Sequence, residues 1–176
     1  MTLRLMLLRH AKSSWTDPGV VDRDRPLNPR GIKAAAAMGA YMRKEALVPE
    51  LVLCSPARRA RETWRLVAEK LKDAPKIIVD DAIYDFGNGG RIIDAIGNTA
   101  DRERSVLVTG HNPSLERLAL RLSGDGDNKS RRRMEQKFPT GALAIIDFAM
   151  SSWHDLSNRT GKLIAFVRPK DIEKDS

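Results

Sequence analysis

Two kinds of hydrophobic pattern alternate along most of the chain. The run Leu3–Leu8 is apolar at nearly every position, which is typical of a strand buried on both faces of a sheet. Other segments repeat apolar residues every three or four positions, as Ala60, Trp64 and Val67 do, and this spacing predicts one buried face of a helix. The pattern predicts strands at 3–8, 51–54, 76–79, 105–109, 142–148 and 163–167, and helices at 29–46, 55–72, 88–96 and from 112 onward.

Capping residues mark the predicted helix starts. Asn28-Pro29 and Asn112-Pro113 each combine an N-cap residue with a proline suited to the first helical position. Ser55, before Pro56, is predicted to cap the second helix. Segment 124–137 shows no apolar period, so we predict a polar loop there.

The order of the elements indicates the fold class. Strands and helices alternate and are followed by two final strands, which favours an α/β fold with a mostly parallel sheet between two helix layers. The 176 residues show no break in composition and fit one domain over residues 1–176. Ligands of such sheets bind beyond the carboxyl ends of the strands. The residues that directly follow the strands are therefore the candidates for a functional site.

Three strand ends carry histidine or arginine. Arg9 and His10 follow the first strand, and His111 follows the fourth. Arg59 follows the second strand in the first turn of a helix, near free backbone N–H groups that attract anions. It lies about 100° around that helix from Arg58, so it is separated from the other arginines nearby. The carboxyl ends of parallel strands share one edge, so we expect these groups to meet.

Guanidinium groups bind phosphate oxygens, and imidazole can act as a nucleophile near neutral pH. This combination predicts phosphoryl transfer without a metal or cofactor. A P-loop motif is absent, and a cysteine phosphatase would need arginine six residues after Cys54, where Ala60 stands. The sequence contains no His-x-His, cysteine cluster or HExxH motif, so we disfavour a metal site.

The net charge of +8 is compatible with nucleic acid, a membrane surface or an anionic substrate as partner. The run Arg131-Arg132-Arg133 has no interleaved aromatic residues, which disfavours binding to single-stranded nucleic acid. We interpret this run as a solvated loop or as a docking patch for an acidic protein. No apolar stretch approaches the roughly 20 residues of a membrane span. The lone Cys54 and the short apolar run at Leu5–Leu8 lead us to expect a cytoplasmic protein.

Four stretches resemble, in the same order, the landmarks of the histidine phosphatase (phosphoglycerate-mutase-like) superfamily. They are LLRHAKSSW, DRPLNPRG, SPARRARET and VTGHNP. The short length, together with RHAKSSW and FPTGALAIIDF, is most similar to the SixA-type phosphohistidine phosphatases. The resemblance implies a phosphoglycerate-mutase-like three-layer α/β/α sandwich without a large lid insertion.

The resemblance also implies a role for individual residues. His10 would be the nucleophile that becomes phosphohistidine, and His111 would donate to the phosphoryl oxygens. Arg25, in DRPL, matches a position that reaches the phosphate pocket in small members. The implied phosphate-binding residues are Arg9, His10, Arg25, Arg59 and His111.

Three positions depart from the family pattern. Ala11 stands where glycine is usual, and Thr16 stands where many members have asparagine. A glutamate proton donor is not evident, and Asp85 in IYDFG is the best candidate for that role. A weak acid matters less for a phosphorus–nitrogen bond, because an imidazole leaving group can carry its own proton.

The sequence therefore predicts a phosphatase that removes phosphate from phosphohistidine on a protein, such as a phosphotransfer domain, and releases inorganic phosphate. Two alternatives stay open. One is a phosphatase for small phosphate esters. The other is a basic module that binds nucleic acid or an acidic protein through Arg131–Arg133.

Overall fold

The computed structural model describes residues 1–73, 75–100 and 102–175. Within these ranges seven strands form one sheet and six α-helices pack around it. The strands are β1 (Leu3–Arg9), β2 (Leu51–Cys54), β3 (Lys76–Val79), β4 (Ser105–Gly110), β5 (Ser123–Gly126), β6 (Leu143–Phe148) and β7 (Gly161–Val167). The helices are α1 (Pro29–Lys44), α2 (Arg58–Ala68), α3 (Gly90–Thr99), α4 (Ser114–Leu122), α5 (Asn128–Gln136) and α6 (Pro169–Lys174). No helix in these ranges has both the length and the apolar composition needed to cross a membrane.

The sheet is mostly parallel, as predicted. Its strand order is β3-β2-β4-β1-β6-β7-β5. The four strands from β3 to β1 run parallel to one another, and β5 runs parallel to β7. Strand β6 is antiparallel to both of its neighbours. Strands β2, β4 and β1 are adjacent, so the residues that follow them meet at one edge of the sheet.

Strand β1 separates two apolar layers. Leu3, Leu5 and Leu7 belong to a cluster with side chains of α3 and α4. Met6 and Leu8 point to the opposite face and pack with side chains of α1 and α2. Successive strand residues alternate between faces, and burial of both sets explains why β1 is apolar nearly throughout. The three-layer α/β/α arrangement is therefore confirmed.

The first helix is held tightly against the loop after β1. The Asn28 side chain accepts a hydrogen bond from Gly31 N at 2.8 Å, which confirms it as the N-cap. The backbone N–H of Asn28 donates to the carbonyl of Lys12 at 3.0 Å. Gly31 packs so closely that a Cβ there would lie 2.1 Å from the same carbonyl oxygen. This contact places the start of α1 beside the residues that follow His10.

Two predicted helix caps are wrong. Helix α4 begins at Ser114, after a cis Asn112-Pro113 peptide bond. The Asn112 side chain donates to the carbonyl of Phe138 at 2.9 Å instead of capping the helix. Helix α2 begins at Arg58, and Ala57 rather than Ser55 occupies its N-cap position.

The predicted polar loop at 124–137 is also wrong, because this segment contains most of β5 and all of α5. Strand β5 is short and glycine-rich, and helix α5 buries only Ser130 and Met134, so neither shows an apolar period. The arginine run lies in α5, and its three side chains diverge. Arg131 donates to the carbonyl of Ser123, Arg133 faces Asp171, and Arg132 is exposed.

Candidate active site

A cavity of about 530 Å³ lies at the sheet edge where β1, β2 and β4 end. Its wall contains five of the six residues singled out from the sequence: Arg9, His10, Arg25, Arg59 and His111. Asp85 is not among the lining residues, and its neighbour Phe86 lines the cavity. The Asp85 carboxyl group is buried and accepts a hydrogen bond from Gly87 N at 3.3 Å.

His10 presents one unprotonated ring nitrogen. Its Nδ1 lies 2.7 Å from the carbonyl oxygen of Ala11, and a carbonyl can only accept, so Nδ1 carries the proton. Its Nε2 accepts a hydrogen bond from Arg59 Nε at 3.3 Å. Burial, together with the positive charges of Arg59, Arg9 and Arg25, lowers the pKa of His10 to about 3. The imidazole is therefore neutral at pH 7, with a lone pair on Nε2.

Arg59 connects the two histidines. Its side chain is 2% exposed, whereas Arg58 and Arg61 on the same helix are exposed, as the helical spacing predicts. Arg59 Nη2 lies 3.3 Å from His111 Nδ1, and Nε contacts His10. The centroids of the two imidazole rings are 5.3 Å apart. One guanidinium therefore stands within hydrogen-bonding distance of both imidazoles.

The hydrogen-bond partner of His111 is Ser55, which the sequence had indicated as a helix cap. Its Nε2 lies 2.7 Å from Ser55 Oγ, and its Nδ1 faces Arg59, which can only donate. His111 therefore carries its proton on Nε2 and donates it to Ser55 Oγ, which also accepts from Ala57 N. Burial and the neighbouring His10 and Arg59 lower the pKa of His111 to about 3. Ser55 follows β2 and His111 follows β4. Residues that follow parallel strands lie at the same edge of the sheet, so the closeness of these two side chains could have been predicted from the sequence.

Asp22 is a site residue that sequence reasoning missed. Its carboxylate accepts hydrogen bonds from Arg25 and Arg59, each at 3.0 Å, and from the Tyr84 hydroxyl at 2.5 Å. Burial raises the pKa of Asp22, but the hydrogen bonds from Tyr84, Arg25 and Arg59 outweigh this effect and lower it to about 2. Among the described residues that line the cavity, Asp22 alone has a carboxylate. Its only sequence signal was its position three residues before Arg25.

Arg9 retains hydrogen-bonding capacity. Its Nη1 donates to the carbonyl of Phe138 at 2.9 Å, while its buried Nε has no partner among the described residues. Burial lowers the pKa of Arg9, and the charge of Arg59 lowers it further. An arginine side chain remains protonated at neutral pH, so Arg9 can still bind an anionic oxygen.

Comparison with known proteins agrees with this geometry. Residues 5–91, which include Arg9, His10, Arg25 and Arg59, match the Histidine phosphatase superfamily (branch 1). The chain belongs to this superfamily. An uncharacterized protein of Mycobacterium tuberculosis is 35% identical over 165 residues, which are 93% of this chain and 100% of that protein. An uncharacterized chloroplastic protein of Arabidopsis thaliana is 30% identical over 94% of this chain and 78% of its own length.

Solved structures of histidine phosphatases have the same fold. A candidate phosphohistidine phosphatase SixA from Nakamurella multipartitia matches with a TM-score of 0.82 and 25% identity over 96% of this chain and 97% of its own. A candidate SixA from Agrobacterium tumefaciens matches with a TM-score of 0.79 and 28% identity over 95% and 98% of the two chains. Superfamily membership supports phosphatase activity, with a phosphorylated substrate and phosphate as product.

Proposed function

We propose that the chain is a metal-free phosphatase that forms a phosphohistidine intermediate on His10 and removes phosphate from phosphohistidine on a protein. The observation that carries this proposal is the His10 side chain. Its Nε2 is unprotonated, lies in the cavity wall and is accompanied by Arg59 at 3.3 Å. A neutral imidazole surrounded by cations is suited to attack a phosphoryl group whose negative charge those cations neutralise.

In the first step, His10 Nε2 attacks phosphorus and a phosphorus–nitrogen bond forms. The bond to the leaving group breaks, and the leaving group takes the electron pair. Arg9, Arg25 and Arg59 line the same cavity and would stabilise charge on the equatorial oxygens. Phosphate would replace the Asp22 carboxylate as the partner of Arg25 and Arg59.

His111 would donate a hydrogen bond to a phosphoryl oxygen. In the free protein its proton is on Nε2, directed at Ser55 Oγ. A serine hydroxyl can donate as well as accept, so Ser55 can also stabilise the tautomer in which Nδ1 carries the proton. That tautomer directs an N–H group from His111 to the side on which Arg59 lies.

In the second step, water attacks phosphorus and the phosphorus–nitrogen bond breaks. The electron pair of that bond returns to Nε2 of His10, and both protons of the attacking water stay on the inorganic phosphate that forms. His10 is then neutral again, which is the state that burial and its cationic neighbours favour in the free protein.

The carboxyl groups near the cavity favour phosphohistidine over an alkyl phosphate ester as substrate. An alkoxide leaving group needs a proton donor, but Asp22 is ionised well below neutral pH and Asp85 does not line the cavity. An imidazole whose distal nitrogen is already protonated leaves as a neutral molecule. The arrangement therefore supports a substrate with a phosphorus–nitrogen bond, and we assign no proton transfer to Asp85.

Two of the three histidines provide the test and its control. We expect His10→Ala to lower kcat on a phosphohistidine peptide by at least about 10³-fold, because the nucleophile is removed. The His154→Ala variant removes an exposed histidine outside the cavity and should keep full activity. Acid-labile phosphate should be trapped on the wild type and on His154→Ala, but not on His10→Ala. Full turnover by His10→Ala would overturn the mechanism.

The substrate class is tested separately with the wild-type protein. We expect kcat/KM to be higher for a phosphohistidine peptide than for a sugar phosphate, whose alkoxide leaving group needs a proton. A higher value for the sugar phosphate would support the small-ester alternative and reject the protein substrate. p-Nitrophenyl phosphate, which has a stable leaving group, reports the chemistry at His10 independently of substrate class.

A further inference from the structure

A second cavity, of about 500 Å³, adjoins the catalytic cavity and is rich in cationic side chains. We call it the basic pocket, and it is lined by Lys12, Arg30, Lys33, Lys137, Arg168 and Lys170, among other residues. Lys12, Lys137, Pro139 and Thr140 line both cavities. A molecule bound at His10 can therefore extend into the basic pocket without leaving the protein surface.

The fold brings these cations together from distant parts of the chain. Lys12 follows His10 by two residues, and the contact of Gly31 with the Lys12 carbonyl places Arg30 and Lys33 beside it. Lys137 directly follows α5. Arg168 and Lys170 lie at the start of α6, which packs against α1.

Much of the positive charge in the basic pocket is not neutralised by the protein itself. Lys12, Arg30, Lys33 and Lys137 form no ion pair within 4 Å among the described residues. Arg168, in contrast, is paired with Asp171 at 2.7 Å. One carboxylate, that of Glu173, also lines the pocket. The balance is positive and favours an anionic ligand.

We infer that the basic pocket binds acidic side chains of the phosphoprotein substrate, close to its phosphorylated histidine. This inference rests on the proposed function and names the kind of protein on which the enzyme acts. Four of the seven cationic residues that line the pocket, Arg133 included, are lysines, and all four lysines are exposed. Flexible ammonium groups suit carboxylates at variable positions, whereas a dedicated second phosphate site is typically built from arginine forks or backbone N–H groups.

The apolar part of the pocket wall agrees with a polypeptide ligand. Ala34, Pro139 and Pro169 lie between the cationic groups. They provide surface against which the backbone and methylene groups of an acidic segment can pack. No aromatic residue lines the pocket within the described residues, so nothing there would stack on nucleic-acid bases.

Two synthetic peptides test the inference. Each has a central phosphohistidine, flanked on both sides by glutamates in one peptide and by glutamines in the other. The readout is the ratio of kcat/KM for the glutamate peptide to kcat/KM for the glutamine peptide. We expect a ratio of about ten for the wild type at low salt, since several weak ion pairs act together. Each peptide serves as the reference for the other, so the ratio does not depend on the amount of active enzyme.

Charge reversal on one helix tests the location. The double variant Arg30→Glu/Lys33→Glu should bring the ratio to about one or below. The matched control is Lys129→Glu/Arg132→Glu, which makes the same change of charge at two exposed residues of α5 that line neither cavity. The control should keep the wild-type ratio. A ratio of one in the wild type, or an equal loss in both double variants, would overturn the inference.

Two further measurements separate this inference from the proposed function. If neither peptide is hydrolysed while p-nitrophenyl phosphate is, the proposed substrate fails, and inhibition of p-nitrophenyl phosphate hydrolysis by poly-L-glutamate then tests the pocket alone. Acidic docking would be supported if poly-L-glutamate inhibits the wild type and the control double variant equally but inhibits Arg30→Glu/Lys33→Glu less. The opposite result would be inhibition by tripolyphosphate, weakened in Arg30→Glu/Lys33→Glu, with no inhibition by poly-L-glutamate. That result would reject a protein partner and indicate a small polyanion as the ligand.

Discussion

Asp22 is hydrogen-bonded to the arginines of the candidate phosphate site. Arg59 donates from Nη1 to the Asp22 backbone carbonyl at 2.6 Å and from Nη2 to its carboxylate at 3.0 Å. Arg25 donates to the same carboxylate through Nε and Nη2. A carboxylate and a phosphoryl group offer these guanidinium groups the same kind of acceptor. Bound phosphate and the Asp22 side chain should therefore compete.

We predict that Asp22→Asn tightens the binding of inorganic phosphate. The amide keeps the shape of the side chain but removes the negative charge that opposes an incoming anion. We expect Ki for orthophosphate, measured by competitive inhibition of p-nitrophenyl phosphate hydrolysis, to fall about two- to fivefold, which is the upper part of the range for one exposed ion pair.

Asp81→Asn is the matched control for that measurement. Asp81 forms an exposed ion pair with Arg23 at 2.9 Å, and neither residue lines the cavity. The substitution removes the same charge but should leave Ki unchanged. An unchanged or higher Ki in Asp22→Asn would show that Asp22 does not compete with phosphate.

The sequence could predict the location of a site residue when that residue lies at the end of one predicted strand or just after it. Arg9 ends β1, His10 and His111 directly follow apolar strands, and Arg59 lies in the first turn of the helix after β2, so a parallel sheet is enough to bring them together. Asp22 could not be found in this way. It lies in a 3₁₀ turn of an irregular loop, where neither strand nor helix periodicity specifies the direction of a side chain.

At the scale of elements, burial explains several of the correct predictions. Strand β1 is apolar nearly throughout and helix α2 has one regularly spaced apolar face, because the core covers these positions. Strand β5 is held by pairing with β7, and α5 buries few side chains, so their formation depends on neighbours distant in sequence. Helix α6 is a six-residue segment without buried residues and was not predicted.

Helix α1 provides a prediction at this scale. We expect Gly31→Ala to lower the free energy of unfolding by about 2 kcal/mol or more, because the new Cβ would lie 2.1 Å from the Lys12 carbonyl oxygen and the helix would have to shift. The shift would also displace Lys12 relative to His10, so kcat/KM for phosphohistidine peptides should fall. Urea unfolding and steady-state kinetics measure the two effects.

Gly97→Ala in α3 is the control for a glycine within a helix. The nearest atom to its new Cβ would be Nδ1 of the exposed His154 side chain at 3.3 Å, and this side chain can move. Alanine is the better helix former, so stability should be unchanged or rise by up to about 1 kcal/mol. Equal stability of Gly31→Ala and the wild type would contradict the close packing of α1 on the loop after β1.

At the scale of the whole molecule, the positive charge is concentrated where the anions are expected. The cavity at His10 and the basic pocket share part of their walls, and most of the charged residues that line them are cationic. The same field acts on the imidazoles. Together with burial, the neighbouring arginines lower the pKa of His10 and His111, so the folded protein keeps both neutral. This preference makes the stability of the whole fold depend on pH.

We predict that stability falls between pH 7.5 and 5. The two folded pKa values are about 3, below the roughly 6.5 of unfolded histidine, so the unfolded chain binds more protons in this range. The stabilisation is complete above about pH 6.5 and is lost progressively as the pH falls toward 3. At pH 5 the loss should reach at most about 2 kcal/mol for each imidazole. Urea unfolding of His10→Gln/His111→Gln should show a much weaker dependence between these two pH values, and a dependence equal to that of the wild type would mean that neither histidine is held neutral by the fold.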